Sequence, residues 1–254
     1  MHPDRLRSDR ERYDYPPAKL VKSNDQNSIA WKELRLWPDV PPRDWHFDLA
    51  QRRNYSSLQL DNFHGQLLAS NSETDLKHGL LSIVFWGNVT AGYALTRVEQ
   101  IIKGKGKGHP QNPSEILDHL VSARTLLNNF RIGEALIEIL AIDLIGFSFA
   151  SKLIAFMNPH IAVVYDDKIS KHLASRTSPL LREMGGGTDR KDKSQKNKSS
   201  QAVLYEKWCD WCRTKAQELN DANSTWQDWD GLEHPWRAID VERAYFSSAM
   251  HTIS

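Results

Sequence analysis

The stretch from Gly133 to Leu173, GEALIEILAIDLIGFSFASKLIAFMNPHIAVVYDDKISKHL, decides the fold. Apolar residues recur at helical spacing in GEALIEILAIDL and stop at a tight break, Leu144 to Phe147, that contains one glycine, Gly146. Helical spacing resumes in SFASKLIAFM and ends at Asn158-Pro159, because the residue before a proline leaves the helical region. A short apolar run, HIAVVYDD, leads into a further helix, KISKHLASR. The pattern is two helices joined by a glycine-containing hairpin, then a third helix opened by an aspartate.

Working outward, LKHGLLSIVFWGNVTAGYALTRVEQII (76–102) is apolar throughout, as a central buried helix is, with Gly87 suggesting a break. KGKGKGHPQNPSE (103–115) reads as a basic loop, and Ser114 with Glu115 caps the helix EILDHLVSARTLLNNF. Residues 31–63 carry Trp31, Trp37, Trp45 and Phe47 among Pro38, Pro41 and Pro42, and read as an irregular strap without long helices. Residues 1–30 are polar and read as a tail, flexible or pinned to the surface. Toward the C-terminus, GGGTDRKDKSQKNKSS (185–200) reads as a flexible basic insertion in a helical domain spanning 31–254. QAVLYEKWCDWCRTKAQELN and WRAIDVERAYFSSAM supply the last helices, so the expected fold is mainly α.

The 254 residues, 40% hydrophobic and 26% charged, suffice for a core without disulfides or metals. No apolar run is long enough to span a membrane, and MHPDRLRSDRERYDYPP lacks the apolar stretch of a secretory signal. A net charge of +1 favours no partner by itself, so nucleic-acid binding must rest on local patches such as 103–107 and 190–198, whose other reading is solvated loop. Cys209 and Cys212 form a C-x-x-C inside a helical pattern. Structural zinc needs four ligands, and there is no second pair, so two reduced thiols on a packed helix are expected, with no metal and no cofactor. A cytoplasmic monomer is expected, associated with the nucleoid in a bacterium.

The 133–173 stretch resembles the helix-hairpin-helix superfamily of DNA glycosylases, and WRAIDVERAYF is similar to the last helix of 8-oxoguanine glycosylases. Gly146 matches the second hairpin glycine, Ala150 the small residue of the following helix, and Asp166 the catalytic aspartate, with Lys168 and Ile169 after it. Two positions depart: Leu144 replaces the first hairpin glycine, and Ser148 stands where lyase-type members carry a nucleophilic lysine. The resemblance implies an enzyme that flips a damaged or modified base out of double-stranded DNA and hydrolyses its N-glycosidic bond. The base is an oxidised purine in repair, or a hypermodified phage base such as glucosylated hydroxymethylcytosine in antiviral defence. A non-catalytic helix-hairpin-helix DNA-binding protein is the alternative.

The residue chemistry fits those roles. A helix opening at Gly146 offers free backbone N–H groups and a positive end to a phosphate, with Ser148, Lys152 and Lys168 as further DNA contacts. A carboxylate at Asp166 stabilises the oxocarbenium-like sugar left by the departing base and orients a water. Asp166 also reads as a helix cap; Asp167 is the preferred cap, with the exchange of roles left open. Trp86 and Asn88 on the central helix, and Trp236 and Asp240 with Arg237 near the last helix, are candidates for the base pocket, against core packing and surface ion pairs. Ser148 cannot form a Schiff base, so a monofunctional hydrolase is expected; Lys152 and Lys168 are the amines that remain for a lyase step.

Overall fold

The computed structural model describes residues 2–16, 18–21, 35–36, 56–103, 111–185 and 195–252, and over these it is built almost wholly from helices. They run α1 (Pro3–Glu11), α2 (Ser57–Ala69), α3 (Glu73–Asn88), α4 (Ala94–Lys103), α5 (Pro113–Asn128), α6 (Ile132–Ile139), α7 (Phe147–Met157), α8 (Asp167–Ala174), α9 (Pro179–Met184), α10 (Gln195–Asp221) and α11 (Ala238–Thr252). Two antiparallel pairs of two-residue strands accompany them: β1 (Leu20–Val21) with β2 (Arg35–Leu36), and β3 (Trp226–Gln227) with β4 (Glu233–His234). The mainly α architecture read from the sequence holds.

Several boundaries differ from the sequence reading. Part of the strap is helical: Ser56 and Gln59 form a capping box at the start of α2, satisfying two of the free N–H groups there. α5 is capped by Asn112, which accepts from Ser114 N–H, with Pro113 in the first turn; Ser114 is not the cap. The tail expected over residues 1–30 is, over Pro3–Glu11, a helix built into the core, with Leu6 and Arg10 wholly buried. Of the basic insertion, 195–200 open α10 and 186–194 lie outside the described residues, as do 104–110 of the other basic loop.

α3 is the central helix and is buried on most sides. Gly87 does not break it. The helix passes through Gly87 to Asn88, and an added Cβ would come within 2.5 Å of the Phe149 ring, so the glycine allows α3 and α7 to pack closely. The reversal follows a few residues later at Gly92, whose φ is +73°. Ser82 and His78 on α3 hold the β1 segment through Leu20, which donates its N–H to Ser82 Oγ (2.9 Å), while its carbonyl lies 2.7 Å from His78 Nε2.

Charge is also part of the core. Arg10 of α1 donates to Asp240 of α11 through Nε (3.1 Å) and Nη2 (3.0 Å) and to Ser57 Oγ (2.6 Å), with its guanidinium 3.6 Å over the Trp226 ring. Arg237 bridges Asp240 (2.8 Å) and Asp61 of α2 (2.7 Å), and Arg243 grips both oxygens of Asp61 (2.9 and 2.5 Å). Burial alone pushes the Asp240 carboxyl up, but Arg237 and Arg10 hold it well below the usual carboxylate range.

Asp240→Asn leaves Arg10 without its ion-pair partner and Arg237 with Asp61 alone, and is expected to cost about 3–5 kcal/mol in urea denaturation. Because the folded-state pKa is depressed, this contribution is complete above the unfolded value of about 3.9 and is lost as pH falls below it. The wild type therefore loses stability on acidification below pH 4 more steeply than the variant.

Candidate active site

Five parts of the chain converge on a cavity of about 310 Å³. The segment after α1 supplies Tyr13 and Tyr15, α3 supplies Trp86 and Gly87, α7 supplies Ser148 and Lys152, the start of α8 supplies Asp166 and Lys168, and α11 supplies Glu242 and Phe246. Its walls are aromatic: Tyr15 lies 4.7 Å from Trp86 and 6.3 Å from Phe246 between ring centroids. Such walls suit a flat ring. A concavity of about 410 Å³ between the outer faces of α1 and α11 is lined by Arg5, Asp9, Arg12 and His251 and lacks the enclosing aromatic walls.

Asp166 is fixed by the sequence around it. Its Oδ1 accepts from the N–H groups of Lys168 and Ile169, both at 3.0 Å, so Asp166 is itself the cap of α8. Asp167, read as the preferred cap, instead lies 3.5 Å from Lys171 one turn along. Asp166 Oδ2 makes no hydrogen bond with the described residues. The extended run before it is tied at both edges. Ser151 Oγ accepts from Tyr165 N–H (3.0 Å), the Tyr205 hydroxyl donates to Val163 C=O (2.8 Å), and Trp208 Nε1 donates to Val164 C=O (3.3 Å). Ser151, Tyr205 and Trp208 are therefore positioning residues that the sequence reading did not single out.

The hairpin lies between α6 and α7. Gly146 caps α7 with extended backbone and no side-chain cap, so the first N–H groups of α7 are left to solvent or to a ligand. Gly146 has no steric need to be glycine within the fold, since an added Cβ meets nothing within 4 Å. Leu144, where the resemblance has a glycine, takes the left-handed conformation (φ +66°) and is 41% exposed. The turn therefore keeps the backbone of a glycine hairpin at the cost of about 1–2 kcal/mol of strain. Gln111 braces it, accepting from Asp143 N–H at 2.8 Å.

Lys152 is not a surface phosphate contact. It is 6% exposed, lies in the cavity and donates to Ser148 Oγ at 2.9 Å. Burial lowers its pKa, opposed by Asp166 and Glu242. Lys168 is exposed at the rim, 5.4 Å from the Phe246 ring centroid. Trp86 lines the cavity with its indole N–H on Pro16 C=O (3.0 Å).

Three candidates for the base pocket lie elsewhere. Asn88 turns back to Val84 C=O (2.8 Å), the Trp236 indole donates to Ser224 Oγ (3.3 Å) ahead of α11, and Asp240 belongs to the arginine network, so none of the three lines the cavity. In their place stand Glu242 and Phe246, four residues apart on one face of α11, with Tyr13 and Tyr15. Glu242 is 2% exposed and its carboxyl makes no hydrogen bond or ion pair with the described residues. Burial pushes it well above the usual carboxylate range, and Asp166 pushes it further, against Arg243, Lys152 and Arg10. The one signal available beforehand was that i, i+4 spacing.

Cys209 and Cys212 are free, buried thiols on α10, with burial pushing Cys209 up to about 12; no cluster of metal-ligating side chains occurs among the described residues.

The sequence model of the 8-oxoguanine DNA glycosylase OGG-like protein family matches residues 27–246. No curated protein and no solved structure matches the chain.

Gly146→Val places its Cβ in open space, so its unfolding free energy is expected to stay within about 1 kcal/mol of the wild type. The same side chain crowds the open end of α7. Duplex binding is expected to weaken with no change in base preference, since such contacts position without specifying.

Proposed function

The chain belongs to the 8-oxoguanine DNA glycosylase OGG-like family, and from that membership we propose that it flips a modified base out of duplex DNA and hydrolyses its N-glycosidic bond. The observation that carries this reading is Asp166, a carboxylate anchored at the start of α8 in an aromatic-walled cavity, a short run of chain from the hairpin.

In this reading the open end of α7 at Gly146 takes a backbone phosphate, with Lys168 at the rim adding charge. Tyr15, Trp86 and Phe246 offer ring faces to the flipped base. Asp166 stabilises the positive charge that develops at the sugar as the base leaves, and orients the attacking water. An oxidised purine is the substrate that the family description favours, and a hypermodified base is the other member of the test panel. Capping α8 uses only Oδ1 of Asp166, and the catalytic reading gives Oδ2 a role.

The hydrolytic route is favoured by Ser148, which stands at the position of the amine in lyase-type relatives and carries none. Lys152, four residues on, donates to the Ser148 hydroxyl and is the amine that a covalent route would have to use instead.

Excision from duplexes carrying 8-oxoguanine, other oxidised or alkylated bases and glucosylated hydroxymethylcytosine, followed by alkaline cleavage of abasic sites, tests the activity. Asp166→Asn is expected to lower single-turnover excision by about 10³-fold or more, as loss of several kcal/mol of charge stabilisation requires, with duplex binding retained. Near wild-type excision by this variant removes Asp166 from catalysis.

Borohydride treatment during turnover is expected to trap no enzyme–DNA adduct. An adduct that disappears in Lys152→Ala makes the enzyme a lyase through that amine, and one that disappears in Lys168→Ala assigns it to the rim lysine.

A further inference from the structure

We propose that Glu242 is the general acid of the reaction, delivering its proton to the departing base while Asp166 faces the sugar. The inference rests on the glycosylase reading and adds a second catalytic carboxyl to it.

Glu242 and Asp166 come from different helices to one cavity, and their surroundings differ. Asp166 is used twice as an acceptor by backbone N–H groups. Glu242 has no such donors, is nearly sealed from water, and has no ion-pair partner among the described residues. A buried carboxyl without donors is best kept neutral, since an isolated charge there carries a large desolvation cost. The groups that act on it come from every side: Asp166 from α8, Lys152 from α7, Arg10 from α1 and Arg243 from its own helix. Tyr13, and Tyr205 and Cys212 of α10, also lie within electrostatic reach and are uncharged at neutral pH because burial raises all three. The balance leaves Glu242 well above the usual carboxylate range. Two carboxyls with environments pushed apart are the arrangement that divides acid from base in glycoside hydrolysis. Phe246, one turn further along the same face, gives the base a ring to lie against beside that carboxyl.

The step balances with water alone. The C1′–N bond breaks and its electron pair goes to the base, which takes the proton of Glu242. Water adds to C1′ and gives a proton to Asp166. Proton exchange with solvent then returns Asp166 to carboxylate and Glu242 to acid. A base that is already cationic, such as 7-methylguanine, needs no such proton.

The test is single-turnover excision over pH 5–10 by wild type, Glu242→Gln and Glu242→Asp, on duplexes carrying 8-oxoguanine, hypoxanthine, 5-hydroxymethylcytosine or 7-methylguanine. The wild-type rate on a neutral base is expected to fall as pH rises through the Glu242 pKa. Glu242→Gln is expected to be about 10²-fold slower or worse, with that alkaline fall abolished and with partial recovery in Glu242→Asp. The loss should be greatest for the poorest leaving groups and smallest for 7-methylguanine, with affinity for an abasic-analogue duplex unchanged. A wild type without an alkaline fall, a Glu242→Gln enzyme of wild-type rate and profile, or equal slowing on every base overturns the assignment while the glycosylase reading stands. A folded wild type that excises no base overturns the glycosylase reading, and the assignment with it.

Discussion

Two aspartates and three arginines, all buried, hold the two ends of the described chain together. Asp61 of α2 and Asp240 of α11 are shared among Arg10, Arg237 and Arg243 through hydrogen bonds of 2.5–3.1 Å. Apolar residues of the same volume would serve stability as well or better. What the ionic version adds is direction. Each guanidinium binds in a planar fork, so a small rotation of α11 breaks several bonds at once. On that helix Asp240 faces the network, Glu242 and Phe246, four apart, share the face that reaches the cavity, and Arg243 touches both. Fixing one face fixes the other. The same network seats α1, and Tyr13 and Tyr15 follow α1 directly into the cavity wall.

A second constraint sets the opposite wall. Ser151 ties the strand-like run before Asp166 to α7, and Tyr205 and Trp208 tie it to α10. Hydroxyl and indole groups thus bond Val163 C=O, Val164 C=O and Tyr165 N–H of the run in place of a neighbouring strand. Gly87 lets α3 approach α7 closely enough for Trp86 and Lys152 to face the same space. The hairpin stores some strain at Leu144. That strain is tolerated because the turn is clamped between α6 and α7 and braced by Gln111.

The parts of this site legible in the sequence are those set by local pattern. Gly146 follows from a break between two apolar helical runs and Asp166 from an aspartate opening the next helix, while the roles of Ser148 and Asp166 come from the family resemblance. The parts that were not legible depend on tertiary closure. Tyr13 and Tyr15 sit in a segment so polar that it reads as a tail, because its helix buries an arginine on aspartates rather than an apolar stripe on the core. Glu242 lies in Asp-Val-Glu-Arg, where charges read as a solvated surface; only the fold shows which of them face each other and which face a cavity. Asp240 was a natural candidate for the pocket by residue type, and a shift of one or two positions on a helix turns a side chain through about 100–200°; Trp236 lies ahead of α11 and is held by Asn220 and Ser224. Lys152 was assigned to phosphate because one turn beyond the hairpin is near the surface in an isolated helix, but here α3 and α11 cover it.

The charge state of Lys152 then constrains the chemistry of the whole cavity. As an ammonium it is drawn to Asp166 and Glu242, and it disfavours positive charge growing at the sugar nearby. As a neutral amine it removes that opposition, but it also removes a charge that favours the ionised form of each carboxyl. The hydroxyl of Ser148 bears on this choice, since it accepts a hydrogen bond from Lys152 Nζ without supplying a countercharge. Burial, the largest influence on Lys152, works toward the neutral amine. With Lys152 neutral and Glu242 protonated, Asp166 is the carboxylate of the proposed site left to face the sugar, with Asp167, Lys168 and Arg243 the other charged groups in the cavity lining. The same neutral amine is the species a lyase step requires. Hydrolysis and covalent attack therefore draw on one electrostatic arrangement, and reach decides between them: whether a water or Lys152 Nζ is closer to C1′ when the base leaves.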